Sequence, residues 1–126
     1  MLNQVLHWNG KRWSRVRTPN PAGIGAGRIN ELFAVRCGSA SSCNAGGTDG
    51  TGSGTSSFRQ FNQVLHWNGS KWLLVRTPQP GSMSRGSFRE VNALACGSST
   101  NCWGAGNFAL VDRGKSGCSL TIMAAG

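Results

Sequence analysis

The sequence predicts an all-β fold of antiparallel four-stranded meanders that repeat about twice along the chain. Its composition is the first observation: 19 Gly and 5 Trp accompany a charged share of only 13% in 126 residues. Aromatic and β-branched runs broken by glycine favour strands over helices. The second observation is that residues 3–10 and 62–69 both have the sequence NQVLHWNG, an offset of 59. The third is an Asn-Gly pair between strand-like segments in each copy, which predicts a type I′ hairpin turn.

The match between the two copies continues at the same offset beyond this opening phrase. Residues 3–49 align with 62–108, and the shared positions include Trp, Thr-Pro, Glu and a pair of Cys residues. A long fixed period is typical of repeat architectures, in which each unit buries its apolar face against the next unit. We therefore predict two tandem β-repeat units over 1–108, followed by a divergent C-terminal tail over 109–126.

Each unit is predicted to contain two hairpins. Strands a and b fall at 31–37 and 43–48, and strands c and d fall at 62–67 and 72–77. The chain order is then c–d, a–b–c–d and a–b, so that the complete unit lies in the middle. The Gly- and Ser-rich segments between the hairpins are predicted loops: 20–29, 49–57 and 79–88.

The repeat begins in mid-unit and is lost after Phe108. The tail does not return to the Trp-Asn-Gly hairpin, and we expect at most one short strand there, near 120–123. An incomplete repeat array leaves strand edges and apolar faces unpaired. The chain is therefore expected to be a fragment, an incomplete gene product or one piece of an assembly. In such an assembly, the N-terminal c–d hairpin of one copy completes the a–b hairpin of another.

The cysteines form two pairs with the same spacing, Cys37 with Cys43 and Cys96 with Cys102. Each pair lies at the base of an a–b hairpin, where facing residues come within disulfide range. Zinc ligation and free thiols are the alternatives, although zinc sites usually have a closer Cys spacing and a second pair or a His nearby. Two disulfides predict secretion into an oxidising compartment. Cys118 has no partner in this pattern.

These recurring residues form the pattern L-x-W-N-G-x-x-W-x-x-V-x-T-P-x-P, then C-x-S in both copies, then C-W-x-x-G in the second copy. The pattern resembles the Trp- and Cys-rich repeats of large secreted bacterial proteins, of the type common in actinobacteria. The resemblance implies β-propeller-like blades and no particular activity, and it covers residues 3–48 and 62–108. The chain departs from the pattern at Asn44, where the second copy has Trp103. Two units cannot close a propeller, which needs roughly 4–8 blades.

The recurring Trp residues are candidates for ligand contact as well as for the core. Exposed Trp stacks on sugar rings, and we expect Trp13 and Trp72, just after the turns, to be more exposed than the other Trp residues. Arg17 and Arg76 share their strand faces, which suits cation–π stacking or binding of an anionic sugar. The alternative is that a Trp at one fixed place in each unit packs in the core.

The remaining features predict binding rather than chemistry. The net charge of +9 comes from scattered cations, which favours a solvated basic surface over a specific nucleic-acid site, and no membrane segment is predicted. His7 and His66 have no acid or nucleophile specified near them, so we predict no enzyme, no cofactor and no metal site. The predicted function is a non-enzymatic extracellular module that binds glycan or a cell-surface polymer. The alternative is a structural protein that self-assembles into rings or filaments by blade complementation.

Overall fold

The computed structural model describes residues 1–52, 54, 57–81, 84–112 and 115–125, with strand side chains described as far as Ala109. Within these residues the chain forms nine strands and no helix. The strands are β1 (Val5–Trp8), β2 (Trp13–Val16), β3 (Arg28–Ser39), β4 (Ser42–Thr51), β5 (Arg59–Trp67), β6 (Trp72–Val75), β7 (Phe88–Ser98), β8 (Asn101–Asp112) and β9 (Lys115–Ala125).

The strands form three antiparallel sheets in chain order. Strands β1 and β2 form the N-terminal hairpin, β3 to β6 form the four-stranded central sheet, and β7 to β9 form the C-terminal sheet. This confirms the all-β class and the predicted order c–d, a–b–c–d, a–b. The prediction of a loop over 49–57 is wrong at its start, because Asp49–Thr51 continue β4 and pair with Arg59–Phe61 of β5. The middle of that loop lies outside the described residues.

The two Asn-Gly turns are longer than a type I′ turn. Trp8 pairs with Trp13 and Trp67 pairs with Trp72, so that four residues connect each pair of strands. Only the glycine has a positive φ, 94° at Gly10 and 95° at Gly69. The Asn side chain instead caps the turn: Asn9 Oδ1 accepts hydrogen bonds from two backbone N–H groups, both at 3.0 Å. The hairpins are confirmed, and the predicted turn type is wrong.

Both disulfides form as predicted, between Cys37 and Cys43 and between Cys96 and Cys102. Each pair is directly opposed in the antiparallel register, with Cα atoms 3.9 and 4.0 Å apart. The four sulfur atoms are therefore bonded in two pairs and are neither free thiols nor available to a metal. A small all-β domain with two disulfides fits an extracellular protein.

The tail forms a longer strand than predicted. Lys115–Ala125 pair with β8 along its length, in the place that strand c occupies in the central sheet. The register differs by one residue from the repeat offset, because Cys43 pairs with Trp67 whereas Cys102 pairs with Ala125. The expectation of one short strand is corrected: backbone pairing along β8 extends the sheet although the Trp-Asn-Gly sequence is absent. The side chain of Cys118 lies outside the described part of the chain.

The central sheet is covered on both faces by its neighbours along the chain. On one face Ala45, Leu65 and Trp72 are buried, and Val5 and Val16 of the hairpin pack against them. Because Val5 and Val16 are paired on one face of the hairpin, Leu6, Trp8 and Trp13 lie on its other face.

The other face of the central sheet packs on β7. Val64 forms a buried cluster with Val91 and Leu94. The approach is so close that a Cβ added to Gly46 would lie 2.7 Å from Val91 Cγ1. A Cβ on Gly38 would overlap the backbone of the β7–β8 turn at Ser98 and Ser99. The three sheets are therefore stacked face to face, and they do not close into a ring within the described residues.

A chain of hydrogen bonds between buried polar groups crosses all three layers. Asn3 Nδ2 donates to Gln63 Oε1 at 2.6 Å, and Gln63 Nε2 donates to the Thr48 carbonyl at 3.1 Å. Thr48 Oγ1 then donates to the carbonyl of Arg89 on β7 at 2.7 Å. Gln63, Thr48 and Arg89 are at most 1% exposed, and buried polar groups of this kind are stable only when they are hydrogen-bonded.

Replacing Gly38 by alanine tests the close packing of the two larger sheets. We expect Gly38→Ala to lower the free energy of unfolding by about 1–3 kcal/mol, because the new Cβ forces the turn of β7–β8 away. Gly97 is the repeat-related residue, and a Cβ there meets nothing within 4 Å. Gly97→Ala is the matched control and is expected to change stability by less than about 0.5 kcal/mol. Equal effects in urea unfolding would contradict the packing.

Candidate functional site

The four predicted ligand-binding residues do not lie in one site. Trp13 is 65% exposed, as expected, whereas Trp72 is only 7% exposed, so the expectation is wrong for Trp72. Trp72 is buried because the N-terminal hairpin covers its face of the central sheet. Trp13 occupies the same place in the hairpin, whose outer face has no neighbour within the described residues. The exposure of a Trp side chain therefore depends on whether a neighbouring layer covers its sheet face, and not on its position in the repeat.

Arg17 and Arg76 are both exposed, and each lies just beyond the end of its strand. The predicted stacking on Trp does not form. Within the described part of the chain, the cation–π contact is made by Arg89, whose guanidinium lies 5.9 Å from the centroid of the Phe61 ring. Arg76 instead lines two neighbouring cavities.

The first of these cavities is a cleft of about 510 Å³ between the central and C-terminal sheets, which we call the inter-sheet cleft. One wall of the cleft consists of the central sheet and the segment that follows β6. The opposite wall consists of the C-terminal sheet and its β7–β8 turn. Its lining includes Asn44, Val64, His66, Val75, Arg76, Val91, Leu94, Thr100 and Trp103.

His66 is held in the cleft by a short hydrogen-bonded chain. Its Nδ1 lies 3.1 Å from Asn44 Oδ1, and Asn44 Nδ2 lies 3.2 Å from the Cys102 sulfur. Because an amide oxygen can only accept, the Nδ1–H group of His66 donates this hydrogen bond. This hydrogen bond to Asn44 satisfies the imidazole of His66 within its strand, as the sequence predicts. The hydrogen bonds thus hold the polar groups of His66 and Asn44 at fixed positions in the cleft.

The second cavity adjoins the cleft, has about 830 Å³ and is more open. Asp49 and Phe61 line it, and Arg76 lines both cavities. Burial raises the pKa of Asp49 to about 6, and a hydrogen bond from Gln63 opposes part of that rise. Burial also lowers the pKa of Arg89 below its ordinary value, and the neighbouring Arg59 lowers it further.

A smaller groove of about 410 Å³ lies between the N-terminal hairpin and the central sheet. It is the repeat-related counterpart of the inter-sheet cleft, since Val5, His7 and Val16 take the places of Val64, His66 and Val75. Trp67, opposite Cys43, lines this groove. In the C-terminal sheet the residue opposite Cys102 is an alanine, and Trp103 lines the larger cleft.

Sequence reasoning missed most of the cleft. The sequence pattern marks Asn44 only as a departure from the repeat, and it carries no signal for Thr100. Alternation along strands c and b places His66 and Asn44 on the face opposite Leu65, which is a usable signal. The position of the C-terminal sheet opposite His66 and Asn44 depends on tertiary packing.

The described part of the chain has neither a cluster of metal-ligating side chains nor a membrane-spanning helix. No three side chains among His, Cys, Asp and Glu lie close enough together there to hold a metal ion. No helix in that part of the chain is long and apolar enough to cross a membrane.

No protein-family model, curated protein or solved structure matches the chain. The resemblance to Trp- and Cys-rich bacterial repeats therefore remains a prediction.

Replacing each of the two repeat-related Trp residues by alanine tests their different environments. Trp72→Ala is expected to lower the free energy of unfolding by about 3–5 kcal/mol, because it opens a cavity under the hairpin. Trp13→Ala is the matched control and is expected to cost less than about 1 kcal/mol at low protein concentration. Similar losses for both variants in urea unfolding would contradict the assignment of Trp72 to the core.

The raised pKa of Asp49 predicts a pH dependence of stability. The folded pKa of about 6 lies above the reference value of 3.8, so that the unfolded state loses its proton first as pH rises. Stability is therefore lost between about pH 4 and pH 6 and stays lower above that range. Asp49→Asn should abolish this contribution, so that the variant gains stability relative to the wild type between pH 4 and pH 7.5.

The control for this measurement is Glu31→Gln, which removes another carboxyl from the same pair of strands. We expect the difference between this variant and the wild type to change less with pH than the Asp49→Asn difference. A constant difference between Asp49→Asn and the wild type across that range would show that burial does not perturb Asp49.

Proposed function

We propose that the protein is a non-enzymatic extracellular β-repeat module that binds an acidic glycan of a cell surface in the inter-sheet cleft. The observation that carries this proposal is the composition of the cleft. It combines fixed hydrogen-bonding groups on His66 and Asn44 with the cation of Arg76 in one concavity of about 510 Å³. This volume is in the usual range for small-ligand sites.

The two kinds of surface in the cleft suit the two sides of a sugar ring. The partly buried side chain of Val75, which packs against the buried cluster of Val64, Val91 and Leu94, offers apolar contact area to C–H groups. His66 and Thr100 supply hydrogen-bond donors and acceptors for hydroxyl groups. A binding site needs both, because the apolar contact gives area and the polar groups give orientation.

Arg76 favours an acidic ligand over a neutral one. Its guanidinium is always charged and can hold a carboxylate or sulfate through two parallel hydrogen bonds. The net charge of +9 adds a long-range attraction for a polyanion. The two disulfides support an extracellular location, where such polymers occur. In this proposal the stacked sheets are blades of a propeller-type array.

The test measures binding of a polyuronate, a sulfated glycan and a neutral glycan by titration calorimetry. We expect the acidic glycans to bind and the Arg76→Ala variant to bind them at least about tenfold more weakly, since a charge-assisted pair contributes roughly 1.5–3 kcal/mol. Arg17 is the repeat-related arginine, is exposed, and does not line the cleft. Arg17→Ala therefore removes the same charge and should change affinity less than about twofold.

Equal weakening by Arg76→Ala and Arg17→Ala would mean attraction by overall charge and would overturn the cleft as the site. The absence of binding to any of the three glycans at millimolar concentration would overturn the function. A second pair of variants, His66→Ala and His7→Ala, separates the cleft from its counterpart. Only the first is expected to weaken binding.

A further inference from the structure

The outer face of the N-terminal hairpin is apolar, and no described residue of the chain covers it. Leu6, Trp8 and Trp13 are 49%, 47% and 65% exposed, and the two indoles lie 5.7 Å apart between ring centroids. Arg15 pairs with Leu6 and shares this face. We call these four residues the aromatic face. Three large apolar side chains exposed on four-residue strands form a patch of the kind that marks an interaction site.

The chain itself shows what covers such a face. Leu65, Trp67 and Trp72 occupy the same positions in the central sheet, and their face is covered by the preceding hairpin. Leu65 is 0% exposed there, although Leu6, its repeat-related residue, is 49% exposed. The repeated sequence thus presents one surface twice, and the surface that packs on it in one copy is a sheet face of the preceding unit.

Within the stack, each sheet contacts the following sheet in the chain through one of its two faces. In the hairpin that face carries Val5 and Val16, and in the central sheet it carries Ala34 and Asn44. The repeat-related residues in the C-terminal sheet are Ala93 and Trp103. Strand alternation places them on the sheet face that points away from the central sheet, because the neighbouring Cys102 and Leu94 are buried. Trp103 also borders the inter-sheet cleft.

This second surface, which we call the far face, is also uncovered by the part of the chain whose side chains are described. Trp103 is 52% exposed, and Ala93 and Ala95 beside it are exposed. Glu90 lies on the same face, where its carboxylate accepts a hydrogen bond from Asn107. The far face therefore has apolar area flanked by a negative charge, and the aromatic face has apolar area flanked by the positive charge of Arg15. Such opposite charges favour one relative orientation of the two surfaces.

Addition of a strand within a sheet, which the sequence predicted, does not fit this arrangement. Strand β8 pairs with β7 on one side and with β9 on the other. The place in which a neighbour's c–d hairpin would complete the sheet is therefore occupied by Lys115–Ala125. Stacking of faces requires no free edge on β8.

We propose that copies of this chain associate head to tail, with the aromatic face of one copy packed on the far face of the next. The contact continues between copies the stacking that already joins the three sheets within one copy. The two surfaces are different, so the interface is heterologous, and repeated association gives a closed ring or an extended filament. This inference goes beyond the proposed glycan binding and does not depend on it.

The test is sedimentation velocity of the full chain over a range of protein concentrations. The wild type is expected to form species larger than the monomer as its concentration rises. Trp13→Arg on the aromatic face and Trp103→Arg on the far face should each weaken association at least tenfold. Each variant should therefore be monomeric at concentrations at which the wild type associates. Ile24 is 81% exposed and lies on neither face, so Ile24→Arg controls for the loss of an exposed apolar side chain and should associate like the wild type.

Mixing the two variants gives the sharpest result. A Trp13→Arg copy keeps an intact far face, and a Trp103→Arg copy keeps an intact aromatic face, so one contact can form between them. We expect a 1:1 dimer in the mixture although each variant alone is monomeric. Trp8→Arg is a second variant on the aromatic face, and far-ultraviolet circular dichroism checks that each variant is folded.

Three outcomes would overturn the proposal. One is a wild type that is monomeric at every concentration. Another is a folded Trp103→Arg variant that associates as strongly as the wild type, because the contact would then join two aromatic faces. The third is a mixture of the two variants that stays monomeric. Glycan binding by a monomeric wild type would leave the cleft proposal standing, so that the two proposals fail separately.

Discussion

The structure depends on one constraint: a sheet in this chain can bury its faces only against the sheets before and after it. The central sheet meets the condition on both sides, with the hairpin over Leu65 and Trp72 and with β7 over Val64. Among the described residues, the two terminal layers meet it on one side only. Most of the contrasts between repeat-related residues follow from this difference, including the exposure of Leu6 and the burial of Leu65.

Polar contacts hold the layers together where the apolar core is thin. The hydrogen-bonded chain from Asn3 through Gln63 and Thr48 to Arg89 joins the hairpin, the central sheet and β7. The side chain of Arg89 adds bonds to the carbonyl groups of Pro80 and Gln60. Such buried groups specify one relative position of the sheets, because any other arrangement leaves a donor or acceptor unsatisfied. This alignment keeps both walls of the inter-sheet cleft in place.

The cleft and the two terminal faces are separate consequences of the same stacking. The cleft opens between two sheets that are in contact elsewhere, and the polar contact of His66 with Asn44 lies in its wall. The aromatic face and the far face lie at the two ends of the stack. Trp103 borders both the cleft and the far face, whereas His66, Asn44 and Arg76 of the cleft lie on neither terminal face. An assembly would display one cleft per copy. Repeated weak sites of this kind raise the strength of binding to a polymer.

The sequence by itself determined what depends on local chemistry. The antiparallel hairpins, the strand order and the two disulfides follow from Asn-Gly, the strand-forming runs and the spacing of Cys37 and Cys43, which are the same in both copies. Only the tertiary structure decided the burial of Trp72, the exposure of Trp13, the register of β9 and the cleft around His66. The reason is that repeated sequences specify equal local structure, whereas burial depends on which layer lies alongside, and the layers differ at the two ends.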